Sequence, residues 1–293
     1  MRRKTSLRKA WEALFPYLLY YLTYNAAYVI LSFVYQVTVR SFGGAYEEFM
    51  TVHAASVAGV MGGLCMLTGC LPLVSMLKRE LLERGEAFGF AKQRAAGERE
   101  EAADGSGMAV AKTGPAAWHR KGSVTALTAV LAFSVSLGLN ALLTMIGFAD
   151  SSRTYQEVAD RQYGVAFAAG LILYGLISPL AEEVVFRGVI YNRLRRFYSP
   201  AMGIVLSGVL FGVFHGNPVQ GVYGACLGML MAYLYERNGS FLIPFLFHAV
   251  ANLTVYITAR MEGVQERLFT PAGCAVLLAV SIAGVLAERR ISG

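Results

Sequence analysis

Long apolar runs constrain this chain more than any other feature. A helix needs about 20 residues to cross about 30 Å of hydrocarbon, and eight runs approach or exceed that length. They span residues 13–37, 51–77, 123–148, 164–186, 201–215, 219–235, 240–257 and 271–287, of which the fifth and sixth are short. Hydrophobic residues make up 56% of the 293 residues, and the mean hydropathy is +0.49, which a soluble domain seldom reaches. The sequence therefore predicts an all-α, polytopic membrane helix bundle with about eight transmembrane helices.

The positions of lysine and arginine predict the orientation of the bundle, because cytoplasmic loops of membrane proteins hold an excess of both residues. With the N-terminus inside, segments 1–12, 78–122, 187–200, 237 and 289–290 are cytoplasmic and carry 21 of the 26 basic residues. Both termini are thus expected in the cytoplasm. The same bias, helped by attraction to anionic membrane lipid, explains the net charge of +7 without a nucleic-acid partner.

Composition divides the chain into three parts. Residues 1–77 carry two N-terminal transmembrane helices, and the first is interpreted as a retained helix. Residues 78–122 are polar, dense in both charge signs and rich in Gly and Ala, so they predict a cytoplasmic loop. Residues 123–293 predict a six-helix membrane core. No internal repeat is visible, so an inverted-repeat transporter gains no support.

Ionisable residues are rare in the apolar runs, and residues 179–187, PLAEEVVFR, hold three of them. On a helix Glu183 and Arg187 share a face and can pair. Glu182 points elsewhere, toward Ser178 and Gly175, and has no basic residue within helical reach. An unpaired carboxylate in apolar surroundings suits general acid or base chemistry near neutral pH. The alternative is that all three are ordinary charges at the membrane edge.

Two histidines also lie at apolar depth. His215 ends FGVFHGN and shares a helical face with Phe211, whose ring can shield the imidazole. His248 lies within PFLFHAVAN and shares a face with Asn252. Taken separately, each histidine could be a satisfied hydrogen bonder between helices.

The ordered set E-E-x-x-x-R, F-x-x-x-H and H-x-x-x-N resembles the CPBP family of intramembrane proteases (CAAX protease and bacteriocin-processing proteins, also called Abi). This family is related to the type II CAAX prenyl endopeptidases, and the resemblance covers about residues 160–260. It implies a multi-pass enzyme of the bacterial plasma membrane that hydrolyses a peptide bond in a cavity open toward the cytoplasm. The implied substrate is a membrane-associated or lipidated protein or peptide.

The resemblance also implies roles for the motif residues. Glu182 would activate a water with help from His215, and His248 with Asn252 would hydrogen-bond the oxyanion. Glu183, Arg187 and Phe211 would support them. Zn²⁺ could be bound by Glu182, His215 and His248, but H-E-x-x-H is absent, so the leading hypothesis has no cofactor.

Two other functions stay open. Glu182 and the histidines could relay protons in a proton-coupled transporter, or the chain could be a catalytically inactive scaffold or immunity-type member of the same family. Catalysis also requires Glu182, His215 and His248 to lie at a similar depth in the membrane. We therefore expect the helix that carries Glu182 to extend toward residue 197, and the short fifth and sixth runs to meet at residues 216–218.

Overall fold

A computed structural model of the chain describes residues 5–86 and 115–291, without the side chains of residues 115–121. These parts are helical and contain no strand. The helices are α1 Ser6–Phe42, α2 Gly44–Val52, α3 Ala54–Glu83, α4 Pro115–Met145, α5 Arg153–Gly164, α6 Phe167–Phe197, α7 Pro200–Phe214, α8 Pro218–Asn238, α9 Leu242–Thr258, α10 Val264–Leu268 and α11 Pro271–Ile291. The all-α prediction is confirmed, and each of the eight predicted runs falls mainly on one of these helices.

Five of the described helices are long and apolar enough to cross a membrane. They are α1, α3, the part of α4 from Gly122, α6 and α11. Helices α7 and α9 are shorter and apolar, with 15 and 17 residues. The chain is therefore an integral membrane protein, whereas the count of eight spans and the cytoplasmic position of both termini stay predictions.

Within the predicted polar loop 78–122, residues 78–83 and 115–122 are helical. Helix α3 continues to Glu83 and α4 begins at Pro115, and residues 87–114 of the predicted loop lie outside the described residues. Glu86 folds back onto the bundle, where it accepts hydrogen bonds from Arg84 Nε at 3.1 Å and from the Phe241 amide at 3.2 Å. Burial raises the pKa of the Glu86 carboxyl, and Arg84 opposes that rise. The start of the loop thus belongs to the packed structure.

Helix α6 is the central element, and its winding changes twice. Residues Leu173–Ile177 and Val184–Tyr191 form π-helix on either side of the α-helical turn Ser178–Glu183. Each π segment adds a residue to the turn and shifts the direction of later side chains, and such segments often occur at functional sites. The expected extension of this helix past Arg187 to residue 197 is confirmed.

Glycines let α7 and α8 approach each other closely. A Cβ atom on Gly212 would lie 2.2 Å from the Gly221 carbonyl oxygen, and one on Gly228 would lie 3.0 Å from Gly208 Cα. Small residues permit this backbone contact between membrane helices. The two helices meet at residues 215–217, one residue earlier than the predicted junction at 216–218, because α8 already begins at Pro218. Gly216 there has a φ of 71°, and Asn217 accepts a hydrogen bond from the Gln220 amide at 2.9 Å.

Ion pairs between helices gather at one end of the bundle, here called the arginine end and defined by residues 78–86, 192–197 and 236–238. Arg193 Nε lies 3.2 Å from Glu80 Oε1, and Arg196 also contacts Glu80. Arg195 and Arg84 both pair with Glu236. The other end, here called the cavity end, consists of residues 146–166, 215–217 and 259–270.

Candidate active site

Ser178 and Glu182 occupy successive turns of α6, midway along the helix. The Ser178 hydroxyl donates a 2.6 Å hydrogen bond to Glu182 Oε1. Glu182 is 6% exposed, and its other oxygen, Oε2, has no hydrogen-bond partner among the described residues. The predicted direction of Glu182, toward Ser178, is therefore correct. Ser178 thus orients the carboxylate through Oε1, and Oε2 keeps its lone pairs available as an acceptor.

Glu183 connects two helices. Its Oε1 accepts from Arg187 Nη1 at 2.6 Å, as the i,i+4 spacing predicts, and lies 2.8 Å from His248 Nδ1 on α9. Arg187 also donates to the Gly228 carbonyl on α8 at 2.9 Å. Both charged side chains are fully buried. The pair therefore joins α6, α8 and α9 around a charge-assisted hydrogen-bond network.

His248 lies between the two glutamates. Its Nδ1 faces Glu183, and its Nε2 lies 3.7 Å from Glu182 Oε2. An ionised carboxylate can only accept, so Nδ1 carries a proton. A ring that also donates through Nε2 then carries two protons. Helical spacing could not reveal the contact between Glu183 and His248, because 65 residues separate them.

His215 is oriented by the backbone of its own helix. Its Nδ1 lies 2.9 Å from the Phe211 carbonyl oxygen. A carbonyl only accepts, so Nδ1 donates, and a neutral ring then presents its Nε2 as an acceptor. The Phe211 ring centroid lies 5.0 Å from that of His215, 5.5 Å from that of His248 and 4.5 Å from Arg187 Cζ. The predicted shielding by Phe211 thus extends to all three groups.

One cavity of about 180 Å³ brings the predicted catalytic residues together. Glu182, His215, His248 and Asn252 all line it, whereas Glu183, Arg187 and Phe211 lie behind the lining. Ser178 lines it as well. The remaining polar lining includes residues that the motifs do not reveal, namely Asn140, Tyr155, Gln162, Tyr163, Tyr174, Gln220 and Tyr223.

Helix α5 covers this cavity and supplies two of its tyrosines. Burial and the nearby Asp150 raise the pKa of Tyr155, and burial and Tyr155 raise the pKa of Tyr163 to about 12. Both phenols stay protonated at neutral pH and can donate hydrogen bonds. Their sequence, a polar helix between two apolar runs, contains no motif that predicts a lining role.

The zinc hypothesis gains no geometric support. Among the residues that the structure describes, no group of three or more His, Cys, Asp or Glu side chains is arranged to hold a metal ion. The metal-free hypothesis stays a prediction.

The fold and the cavity define a helical membrane protein with carboxylate and imidazole groups facing a buried polar cavity. Residues 164–254 match the family model described as type II CAAX prenyl endopeptidase Rce1-like. The Bacillus subtilis (strain 168) protein named "Putative membrane peptidase YdiL" is 21% identical over 226 residues, covering 77% of this chain and 80% of the relative. No solved structure matches the chain. Both matches confirm the resemblance to the CPBP family of CAAX-type proteases and point to a protease.

Proposed function

We propose that the protein is an intramembrane endopeptidase of the bacterial plasma membrane. It hydrolyses a peptide bond of a membrane-associated or lipidated protein or peptide with a water activated by Glu182. The observation that carries this proposal is the orientation of Glu182, with Oε1 held by Ser178 and Oε2 without a hydrogen-bond partner among the described residues. A general base needs a free lone pair within reach of the proton that it removes.

In the proposed reaction Glu182 Oε2 accepts a proton from water, and the water oxygen attacks the carbonyl carbon of the substrate. His215 helps to hold this water through Nε2, since its Nδ1 is engaged with Phe211. The tetrahedral intermediate then collapses as Glu182 returns the proton to the amide nitrogen and the C–N bond breaks. The products are a carboxylic acid and an amine, and Glu182 is again ionised.

His248 and Asn252 stabilise the oxyanion in this proposal. In this role His248 donates from Nε2 to the oxyanion, while its Nδ1 donates to the Glu183 carboxylate. Donors oriented before the reaction are most effective in a site that excludes water. Arg187 and Phe211 act through these groups by holding Glu183 and shielding the two imidazoles. The proposed reaction requires no metal ion.

The test compares protein termini in membranes of cells that produce the parent chain, Glu182→Gln or His215→Ala. We expect a set of cleavage-derived N-termini that is present with the parent and absent with either variant at equal protein level. Glu48→Gln on α2 is the matched control and should keep these termini. Termini that persist with Glu182→Gln would contradict the proposal, and a loss of proton-coupled flux without any change in termini would favour the transporter.

A further inference from the structure

The cavity lies toward one end of the bundle. Helix α4 contributes Asn140 and Leu143 near its last residue, Met145, and α8 contributes Val219, Gln220 and Tyr223 close to its first residue. Helix α9 contributes His248 and residues toward its end at Thr258. Glu182, midway along α6, marks the deepest point. The lining thus runs from the middle of the bundle to the cavity end.

Helix α5 places the mouth of the cavity at this end. Its residues Tyr155, Val158 and Gln162 line the cavity and are half-buried, so each keeps some surface exposed. Arg260, in the connection after α9, donates to the Tyr163 carbonyl at 2.7 Å and also contacts the Val165 carbonyl. Helix α5 is therefore fastened across the cavity end, and the cavity reaches the protein surface beside it.

The arginine end is the opposite face, and it holds more basic residues than the cavity end does. Ion pairs between Arg193 and Glu80 and between Arg195 and Glu236 show that helices α3, α6 and α8 bring their basic ends to one place. Arg237 donates to the Arg289 carbonyl, which adds the end of α11. In contrast, the connecting residues 38–53, 146–166, 215–217 and 259–270 carry five arginines, no lysine and seven acidic residues.

In this fold the mouth of the cavity and the chain termini lie at opposite ends of the bundle, so they cannot both face the cytoplasm. Lysine and arginine retain membrane-flanking segments in the cytoplasm, and 21 of 26 basic residues belong to the segments expected there. If the arginine end is cytoplasmic, the mouth of the cavity is not. The charge distribution therefore favours the termini inside and argues against the opening that the family resemblance implies.

We infer that the cavity opens to the non-cytoplasmic face of the membrane and accepts an uncharged stretch of a peptide that has already been translocated. The substrate in this inference depends on the proposed function, whereas the orientation of the cavity does not. The described lining contains no Lys or Arg, and its tyrosine, glutamine and asparagine side chains suit a peptide backbone.

The orientation can be tested by cysteine labelling of the full chain in bacterial cells stripped of their wall. Asp160→Cys lies on the exposed face of α5 at the cavity end, and Lys78→Cys lies exposed at the arginine end. A membrane-impermeant maleimide should label Asp160→Cys in intact cells, and Lys78→Cys only after the membrane is opened. The parent chain, with four free cysteines, measures the background.

A third variant, Gln162→Cys, tests the mouth itself, because Gln162 lines the cavity. It should be labelled in intact cells, more slowly than Asp160→Cys because it is less exposed. Labelling of Lys78→Cys in intact cells, or failure to label Asp160→Cys or Gln162→Cys there, would overturn the inference.

The substrate is tested with the same terminal proteomics. Termini that depend on Glu182 should map to protein segments outside the cytoplasm. If labelling succeeds while no terminus depends on Glu182, the proposed function fails and the orientation stands. If the dependent termini map to cytoplasmic segments, the inference fails and the proposed function stands.

Discussion

The Ser178 hydroxyl determines which carboxylate oxygen of Glu182 is available to a water. It occupies Oε1 at 2.6 Å, and Oε2 has no hydrogen-bond partner among the described residues. A hydrogen bond to a charged group contributes about 1.5–3 kcal/mol, so Ser178→Ala should lower the cleavage rate about 10- to 100-fold. Ser281→Ala on α11, a buried serine that bonds the Leu277 carbonyl, is the control. Equal rates for both variants would contradict this role.

Glu183 is a positioning residue whose loss should affect both stability and activity. Glu183→Gln leaves the fully buried Arg187 without its charged partner, and breaking a buried pair in this way costs about 3–5 kcal/mol. We expect a lower unfolding temperature in detergent and loss of cleavage. The double variant Glu183→Gln, Arg187→Met removes both charges and should recover part of the stability without recovering cleavage. Full recovery of cleavage would show that His248 does not need Glu183.

At the scale of elements, the contact between α7 and α8 sets the position of His215. A Cβ atom on Gly224 would lie 3.3 Å from the His215 ring, and one on Gly212 would collide with the Gly221 carbonyl. Gly212→Ala should therefore separate the helices, cost about 1–3 kcal/mol of stability and weaken cleavage. Gly62→Ala on α3, with open space around its Cβ position, should be neutral in thermal unfolding and in cleavage. Identical behaviour of the two variants would mean that α7 and α8 adjust without consequence.

At the scale of the whole molecule, the arginine end attaches α1 and α3 to the rest of the bundle. Glu80 is 1% exposed and accepts from Arg193 and Arg196 of α6, while Arg193 also donates to the Glu12 carbonyl of α1 at 2.7 Å. Glu80→Gln should thus lower the unfolding temperature, with a loss of about 3–5 kcal/mol. The exposed pair of Arg153 and Glu157 supplies the control, since Glu157→Gln should change little. A small effect of Glu80→Gln would indicate that apolar packing alone attaches the front helices.

Local pattern accounts for much of what the sequence predicts correctly. Apolar length predicts the membrane helices because the thickness of the hydrocarbon sets their length. Helical periodicity predicts the pairing of Glu183 with Arg187, the direction of Glu182 and the contact of Phe211 with His215, because residues three or four apart share a face. The three motifs in order also identified the family that both comparisons support.

By itself, then, the sequence determined the class of the protein, the helices and the side-chain neighbours within each helix, since these depend on residue spacing alone. Only the tertiary structure joined Glu183 to His248, placed the Arg187 guanidinium on the Gly228 carbonyl and covered the cavity with the tyrosines of α5. It also located the cavity at the end of the bundle opposite to the arginine end. These features depend on how helices far apart in the chain pack against one another, and helical periodicity carries no information about that.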